Sequence, residues 1–331
     1  MARNKTDTPK LITKCGNLIA ILFSSFVLTQ PAFSSNLDYK LEPMKIAPDT
    51  YVFEGANDDF SKSNGCNIIN TGFIVTNEGV VVINTGVSKL YGEQQRSAIA
   101  KVTNKKIKLV LNLNLHPDYF LGNQAYSDVP IAALAQSIEG MRLEGASYTD
   151  NLYRICGDWM SSTESNPATT VIQPGPIKIS DSNHQLELVQ LSGHTAADLV
   201  LWDKTTGVVF AGGIVFADRA PTTPHANIPQ WLKSLETVSK WNSSKEIKVL
   251  VPSHGPFING LFGIDQTKDY LNWLDQSFKN AALQGLDISE VLSLAIPYKF
   301  RGFSALKPEY LRNVTHLYPQ YEKKIFQKEL Q

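Results

Sequence analysis

Cysteine is scarce in this 331-residue chain, three in all, and no Cys-x-x-Cys pair is present. That excludes a small fold stapled by several disulfides and gives the thiols no redox motif. Charge of one sign is lacking as well: 31 Lys and Arg face 31 Asp and Glu, with no long basic run. Nothing of that kind grips a polyphosphate backbone, so nucleic acid is not an expected partner. No Gly-x-Gly-x-x-Gly or Gly-x-x-x-x-Gly-Lys-Ser segment follows a strand-like run, which sets aside dinucleotide and nucleoside-triphosphate chemistry. Internal repeats, low-complexity tracts and Gly/Ser linkers are absent. What is present, at 43% hydrophobic and 19% charged residues, is ordinary globular composition with six histidines.

The first 34 residues read as a cleaved signal peptide. Arg3, Lys5, Lys10 and Lys14 precede an apolar stretch from Leu18 to Leu28, and Pro31-Ala32-Phe33-Ser34 supplies a small-residue exit. Ser24 and Ser25 interrupt the stretch, which is too short to span a bilayer comfortably. An uncleaved amphipathic anchor is the alternative. Cleavage removes four basic and one acidic residue from 31 of each, leaving 27 against 30. The mature protein is therefore expected to be mildly acidic and periplasmic or secreted, without a stable membrane span. Cys66 and Cys156 remain; an oxidising compartment permits a disulfide between them, and two buried thiols is the other reading.

Short β-rich runs fill the first third: Thr50 to Phe53, Ile68 to Val75, and Val80 to Ile83. Asn77-Glu78-Gly79 joins the last two as a hairpin. Ser88 to Val102 reads as a helix, Ile107 to Leu113 and Ile131 to Leu134 as strands, and the stretch onward to Met160 as a long helix. After Pro174-Gly175-Pro176, strands are expected at Gln185 to Leu191, Leu199 to Trp202, Val208 to Ala211 and Val249 to Val251. A helix opens at Asn227 with Pro229 in its first turn, its apolar face carrying Trp231, Leu235 and Val238. Past Pro256 the pattern is helical, and Asp287 with Glu290 reads as a capping box. Two β-rich blocks with helices outside them predict a four-layer αβ/βα sandwich rather than a doubly wound sheet.

The chemistry gathers just past strand ends. Asn112-Leu-Asn114-Leu-His116-Pro-Asp118-Tyr119-Phe-Leu-Gly122-Asn123 follows one buried strand, Gly193-His194-Thr195 another, and Pro252-Ser253-His254-Gly255 a third. Imidazoles and a carboxylate delivered by such loops are suitable donors to a zinc-type ion.

With these motifs in this order the chain resembles the metallo-β-lactamase-fold superfamily from about residue 41 to 260. The Gly79-to-Gly86 strand and turn and the Phe210-Ala-Gly-Gly213 step belong to the same pattern. His116-Pro-Asp118-x-x-Leu-Gly-Asn and Phe216-x-Asp218-Arg219 are most similar to the branch called quinoprotein relay system zinc metallohydrolases. After the signal peptide at 1–34, the resemblance implies a metallo-β-lactamase-like domain at 41–260, and the helical pattern beyond it is expected to form a C-terminal extension at 261–331 packed on that domain. It also implies hydrolysis by metal-bound hydroxide of an ester, thioester or lactam-type bond in a small-molecule substrate, and by family analogy a periplasmic quinoprotein partner.

Departures from the family pattern limit that reading. The loop His-x-His-x-Asp-His is here Asn114-x-His116-x-Asp118-Tyr119, the aspartate expected to bridge two metals is Gly213, and the aspartate of the strand-ending turn is Asn84. Carried over residue by residue, His116, His194, His254 and Asp118 are the metal ligands, Asn114 and Tyr119 are weak substitutes, and Asp118 is the catalytic group. At most one zinc ion is expected, bound more weakly than in complete relatives. The competing expectation is a non-catalytic pseudoenzyme that binds a small molecule or a periplasmic quinoprotein/dehydrogenase partner in the old cleft. His225 reads as a surface-loop histidine with replacement ligand as the lesser alternative, Asp218 as a loop-closing partner of Arg219, and His184 and His316 as structural.

Overall fold

The structure, a computed structural model, describes residues 37–177 and 183–329. The expected signal peptide lies outside the described residues. Seven strands form the first sheet in chain order: β1 (Met44–Ala47), β2 (Thr50–Phe53), β3 (Thr71–Val75), β4 (Val80–Ile83), β5 (Ile107–Leu111), β6 (Ile131–Ala133) and β7 (Thr170–Val171). Its first four strands are antiparallel, with the expected hairpin between β3 and β4, and the rest are parallel. The second sheet holds β8 (Gly175–Pro176), β9 (Leu186–Leu191), β10 (Asp198–Asp203), β11 (Val208–Phe210) and β12 (Val249–Val251), ordered β12-β11-β10-β9-β8. Only β11 and β12 pair in parallel, because a helix crosses between them.

Helices α1 (Lys89–Val102), α2 (Pro117–Phe120) and α3 (Ala135–Cys156) accompany the first sheet. Helices α4 (Ile228–Ser243), α5 (Gly260–Leu283), α6 (Ile288–Leu292) and α7 (Leu306–Glu329) accompany the second. Both faces of β4 and β10 are buried, which is why they read as unbroken apolar runs. Ile74, Val81, Ile83 and Leu111 meet Leu188, Leu199, Leu201 and Phe210 between the sheets. Phe73, Val80, Val82 and Val110 point the other way, against Ile99 of α1 and Ile138, Met141 and Leu152 of α3. Val200 and Trp202 lie in a third cluster with Leu235 of α4, Leu274 and Phe278 of α5, and Val314 of α7. The layers are helix, sheet, sheet, helix, as the two β-rich blocks predict.

Local signals act where expected. Ser88 caps α1, Asn227 caps α4 with Pro229 in the first turn, and Asp287 and Glu290 complete both halves of a capping box on α6. One strand starts late. The run expected from Ile68 becomes β3 only at Thr71, because the backbone N–H of Asn70 donates to Ser253 and its side chain donates to the carbonyls of Pro252 and Gly255. Residues 68–70 thereby brace the loop that carries His254.

The described residues fall in a single compact unit. A buried ion pair from Arg219 to Glu309, 3.1 Å, ties α7 to the loop after β11. Cys66 and Cys156, 90 residues apart, are joined in a disulfide with Cα atoms 6.1 Å apart, linking the loop before β3 to the end of α3. Among the described residues no helix is long and apolar enough to cross a membrane.

Candidate functional site

The loop after β5 is held by amides. Asn112 and Asn123 exchange side-chain hydrogen bonds, Asn112 also donates to the carbonyl of Tyr119, and Asn84 Oδ1 accepts from the backbone of Leu113. Asn84 sits at φ 56°, a left-handed conformation that asparagine tolerates. Asn114 Oδ1 accepts from the backbone N–H of His116 at 2.9 Å, so this side chain serves the loop before any ligand. His116 itself caps α2 by backbone position, and Asp118 lies in the first turn rather than at the cap.

His194 and His254 arrive from the second sheet. A single carboxylate, Asp198, accepts from the backbone N–H and hydroxyl of Thr195 and meets His194 Nδ1 at 3.1 Å. A carboxylate only accepts, so a neutral His194 bonded to Asp198 carries its proton on Nδ1 and leaves Nε2 bare; the amide nitrogen of Asn114 lies farther from the same Nδ1, at 3.4 Å. That Nε2 is buried and has no hydrogen-bond partner. His254 Nδ1 donates to the carbonyl of Ile68 at 2.8 Å, and its Nε2 faces Asp118 Oδ2 at 3.3 Å.

Burial, with the charge of Arg219 behind it, holds the imidazole of His254 well below the usual histidine range. Burial, with the neighbouring imidazoles of His194, His225 and His254, does the same to His116. Burial pushes the Asp118 carboxyl up to about 7. Once Asp118 ionises, the lone pairs of Oδ2 and of His254 Nε2 point at each other across 3.3 Å. Such a pair needs a cation between its members, either a proton or a metal ion. Tyr119 is buried, and that burial followed by the charge of Asp118 raises its phenol well above the ordinary value. A phenol so protonated is a poor donor to a metal.

The three histidines and Asp118 come together as the strand-end motifs predict; the surprises come from elsewhere. His225, expected as a surface-loop histidine, is half-buried, with its side chain 30% exposed. Its loop turns inward, Nδ1 meets His116 Nε2 at 3.0 Å, and Nε2 meets both carboxylate oxygens of Glu144 at 3.1 Å. Glu144 stands on α3 and accepts from the Tyr148 hydroxyl one turn on, at 2.6 Å. His316 of α7 lines a cavity of about 480 Å3 together with His116, His225, Glu309 and Arg312. His184 does have a structural role, meeting Asp203 at 2.7 Å. Asp218 closes its loop through Asn259 and Gln266, at 2.6 and 2.7 Å, instead of through Arg219. Phe60, Leu152 and Ile155 give the cavity apolar walls. Trp231 is core, as its helical spacing predicts, and its ring packs edge-on against His194 at 5.0 Å.

A two-ion centre does not fit these residues. The bridging position is Gly213, and a Cβ built there would overlap the imidazole of His194. The donor chemistry does fit one divalent ion. His194 Nε2 and Asp118 Oδ2 are buried without hydrogen-bond partners. The 3.3 Å between His254 Nε2 and Asp118 Oδ2 is close to the ~3.4 Å that separates two ligands of one tetrahedral zinc. Among the described residues no three His, Cys, Asp or Glu side chains are already gathered as a coordination group. Donors in a pair rather than a triad mean weaker binding.

Comparison with known proteins agrees with this fold. The sequence matches the family model described as the metallo-beta-lactamase superfamily over residues 64–254. No curated protein matches it. Among solved structures, it is similar to the metallo-beta-lactamase IND-7, with TM-score 0.57 and 20% identity over 71% of this chain and 100% of that one. It is also similar to the metallo-beta-lactamase from Pontibacter korlensis, with TM-score 0.54 and 21% identity over 70% and 99%. The sec-alkylsulfatase Pisa1 from Pseudomonas sp. gives TM-score 0.63 and 14% identity over 85% of this chain and 50% of that one. At such identities the likeness to solved structures is one of fold. With the family model matched over more than half its length, the chain belongs to the metallo-beta-lactamase superfamily.

Proposed function

We propose that this protein is an exported hydrolase that holds one zinc ion at most and cleaves an ester, thioester or lactam-type bond in a small molecule. The observation that carries this reading is the buried pair of facing acceptors, His254 Nε2 and Asp118 Oδ2, 3.3 Å apart; His194 Nε2 is a further buried nitrogen without a hydrogen-bond partner. His194, His254, His116 and Asp118 would hold the ion. When bound, such an ion polarises a carbonyl and lowers the pKa of water.

The chain's own groups supply the rest. Asp198 and the carbonyl of Ile68 fix the ring protons of His194 and His254, so their inner nitrogens stay bare. With Oδ2 turned to the ion, Asp118 would take or release a proton at Oδ1. Phe60, Leu152 and Ile155 exclude water from the apolar part of a substrate.

Similarity of the His116-Pro-Asp118 and Phe216-x-Asp218-Arg219 segments to the quinoprotein relay branch supports a periplasmic setting beside a quinoprotein dehydrogenase. Metal analysis of the purified mature protein after exposure to excess zinc, manganese or iron tests the core of the proposal. About one ion per chain, lost in His116→Ala together with turnover of a chromogenic ester or lactam, is the expected result. No retained metal overturns it.

The overlap of His194 with the space above Gly213 favours a second reading, a pseudoenzyme that keeps the cavity for binding alone. Saturable ligand binding by metal-free protein without turnover would decide for it.

A further inference from the structure

We infer that Glu144 and His225 form a relay that fixes the ring of His116, with His225 as a positioning residue. The Tyr148 hydroxyl holds Glu144 Oε2 at 2.6 Å, and both Glu144 oxygens lie 3.1 Å from His225 Nε2. A carboxylate cannot donate, so the proton of this contact sits on His225 Nε2. In neutral His225 the other nitrogen, Nδ1, is then a bare acceptor. His116 Nε2 lies 3.0 Å from it and must be the donor. A neutral His116 with its proton on Nε2 has its Nδ1 bare.

The other two histidines are ordered in the same way. His194 is held through Nδ1 by Asp198, and His254 through Nδ1 by the carbonyl of Ile68. Each of the three rings thus has one nitrogen tied to an acceptor and the other unprotonated. His116 alone reaches its acceptor through a second imidazole. Asn114 anchors the backbone of His116; the ring packs edge-on against His194 at 4.6 Å, and its hydrogen bond among the described residues goes to His225. The ring centroids of His116 and His225 are 5.2 Å apart.

The relay itself does not depend on a metal; its consequence for metal affinity rests on the single-ion reading above. Two measurements on the full mature chain separate them. First, 15N imidazole spectra of chelator-treated protein at one fixed pH report the ring tautomers, with His116→Gln assigning the signals. We expect the Nε2–H form of His116 in the parent protein and a mixture of tautomers in His225→Ala. In His225→Asn, the amide oxygen can accept in place of Nδ1 and should return the signal toward the parent.

Second, calorimetric titration with zinc should show affinity about 10- to 100-fold weaker in His225→Ala, with partial recovery in His225→Asn. Thermal unfolding confirms that the variants fold; His225→Phe, which fills the space without an acceptor, should behave as His225→Ala does. Identical His116 signals in the parent and His225→Ala overturn the relay. A parent protein that binds no zinc, yet loses the His116 tautomer in His225→Ala, upholds the relay and overturns the single-ion reading.

Discussion

The imidazole of His194 lies where a side chain on Gly213 would have to go: a Cβ there would overlap the ring at Nδ1 and Cε1. The ring is wedged, with Trp231 at 5.0 Å on one side, Phe216 at 5.7 Å on another, and Asp198 holding Nδ1. Restoring the missing bridge by Gly213→Asp should therefore not rebuild a two-ion centre. We expect a loss of about 1–3 kcal/mol from overpacking and no gain in metal content. Urea denaturation and zinc stoichiometry check this, and two ions per chain at parental stability would refute it.

The Arg219–Glu309 pair couples the loop after β11 to α7, and both residues are about 1% exposed. Glu309→Ala would strand a buried guanidinium whose Nε and Nη1 already lack partners. The expected cost is about 3–5 kcal/mol, seen as a lower denaturation midpoint. A shift within error of zero would mean that water reaches Arg219.

The pH behaviour of the metal-free protein carries a sign that can be tested. Burial raises Asp118 from 3.8 to about 7 in the folded chain. Its contribution to stability is thus fully present below about pH 4 and is lost as pH rises through about 7. Asp118→Asn should be more stable than the parent at pH 8 in chelator, with the difference shrinking through pH 7 and vanishing near pH 4. His116 and His254 are depressed instead, so their contribution is present above 6.5 and falls away in acid. Both proteins share that loss, and the comparison cancels it. Equal stability of the two at pH 8 would show that Asp118 is not the buried acid described here.

Reducing Cys66–Cys156 opens a loop of 90 residues. On chain entropy alone the bond is worth about 4–5 kcal/mol, so denaturation in dithiothreitol should move to lower urea by a corresponding amount. Mass analysis without reductant that finds two free thiols would remove this prediction.

Much of the frame is readable from residue order. The apolar runs become strands, Asn227 with Pro229 opens α4, and Asp287 with Glu290 caps α6. His116, His194 and His254 meet because each sits in a loop just past a strand end, and the two sheets bring those loops together. What cannot be read is contact made across layers. Glu144 looks like any acid on a helix, and only the inward turn of the 215–227 loop gives it His225 as a partner. Asp218 and Arg219 look like a pair because they are adjacent, yet their side chains diverge, one to α5 and the other to α7. Gly213 and Asn114 are visible as losses, whereas the ring that filled the vacancy is visible only in three dimensions.

The cavity is closed by residues from distant parts of the chain: Arg312 of α7 meets Asp59 at 2.7 Å, across 253 positions of sequence. No shorter stretch contains both walls, so the pocket comes into being only when the last helix docks. A molecule bound there would recognise the finished fold and no intermediate that lacks α7. Occupancy would accordingly slow the whole-chain unfolding step, while leaving early collapse of the first sheet at its ordinary rate.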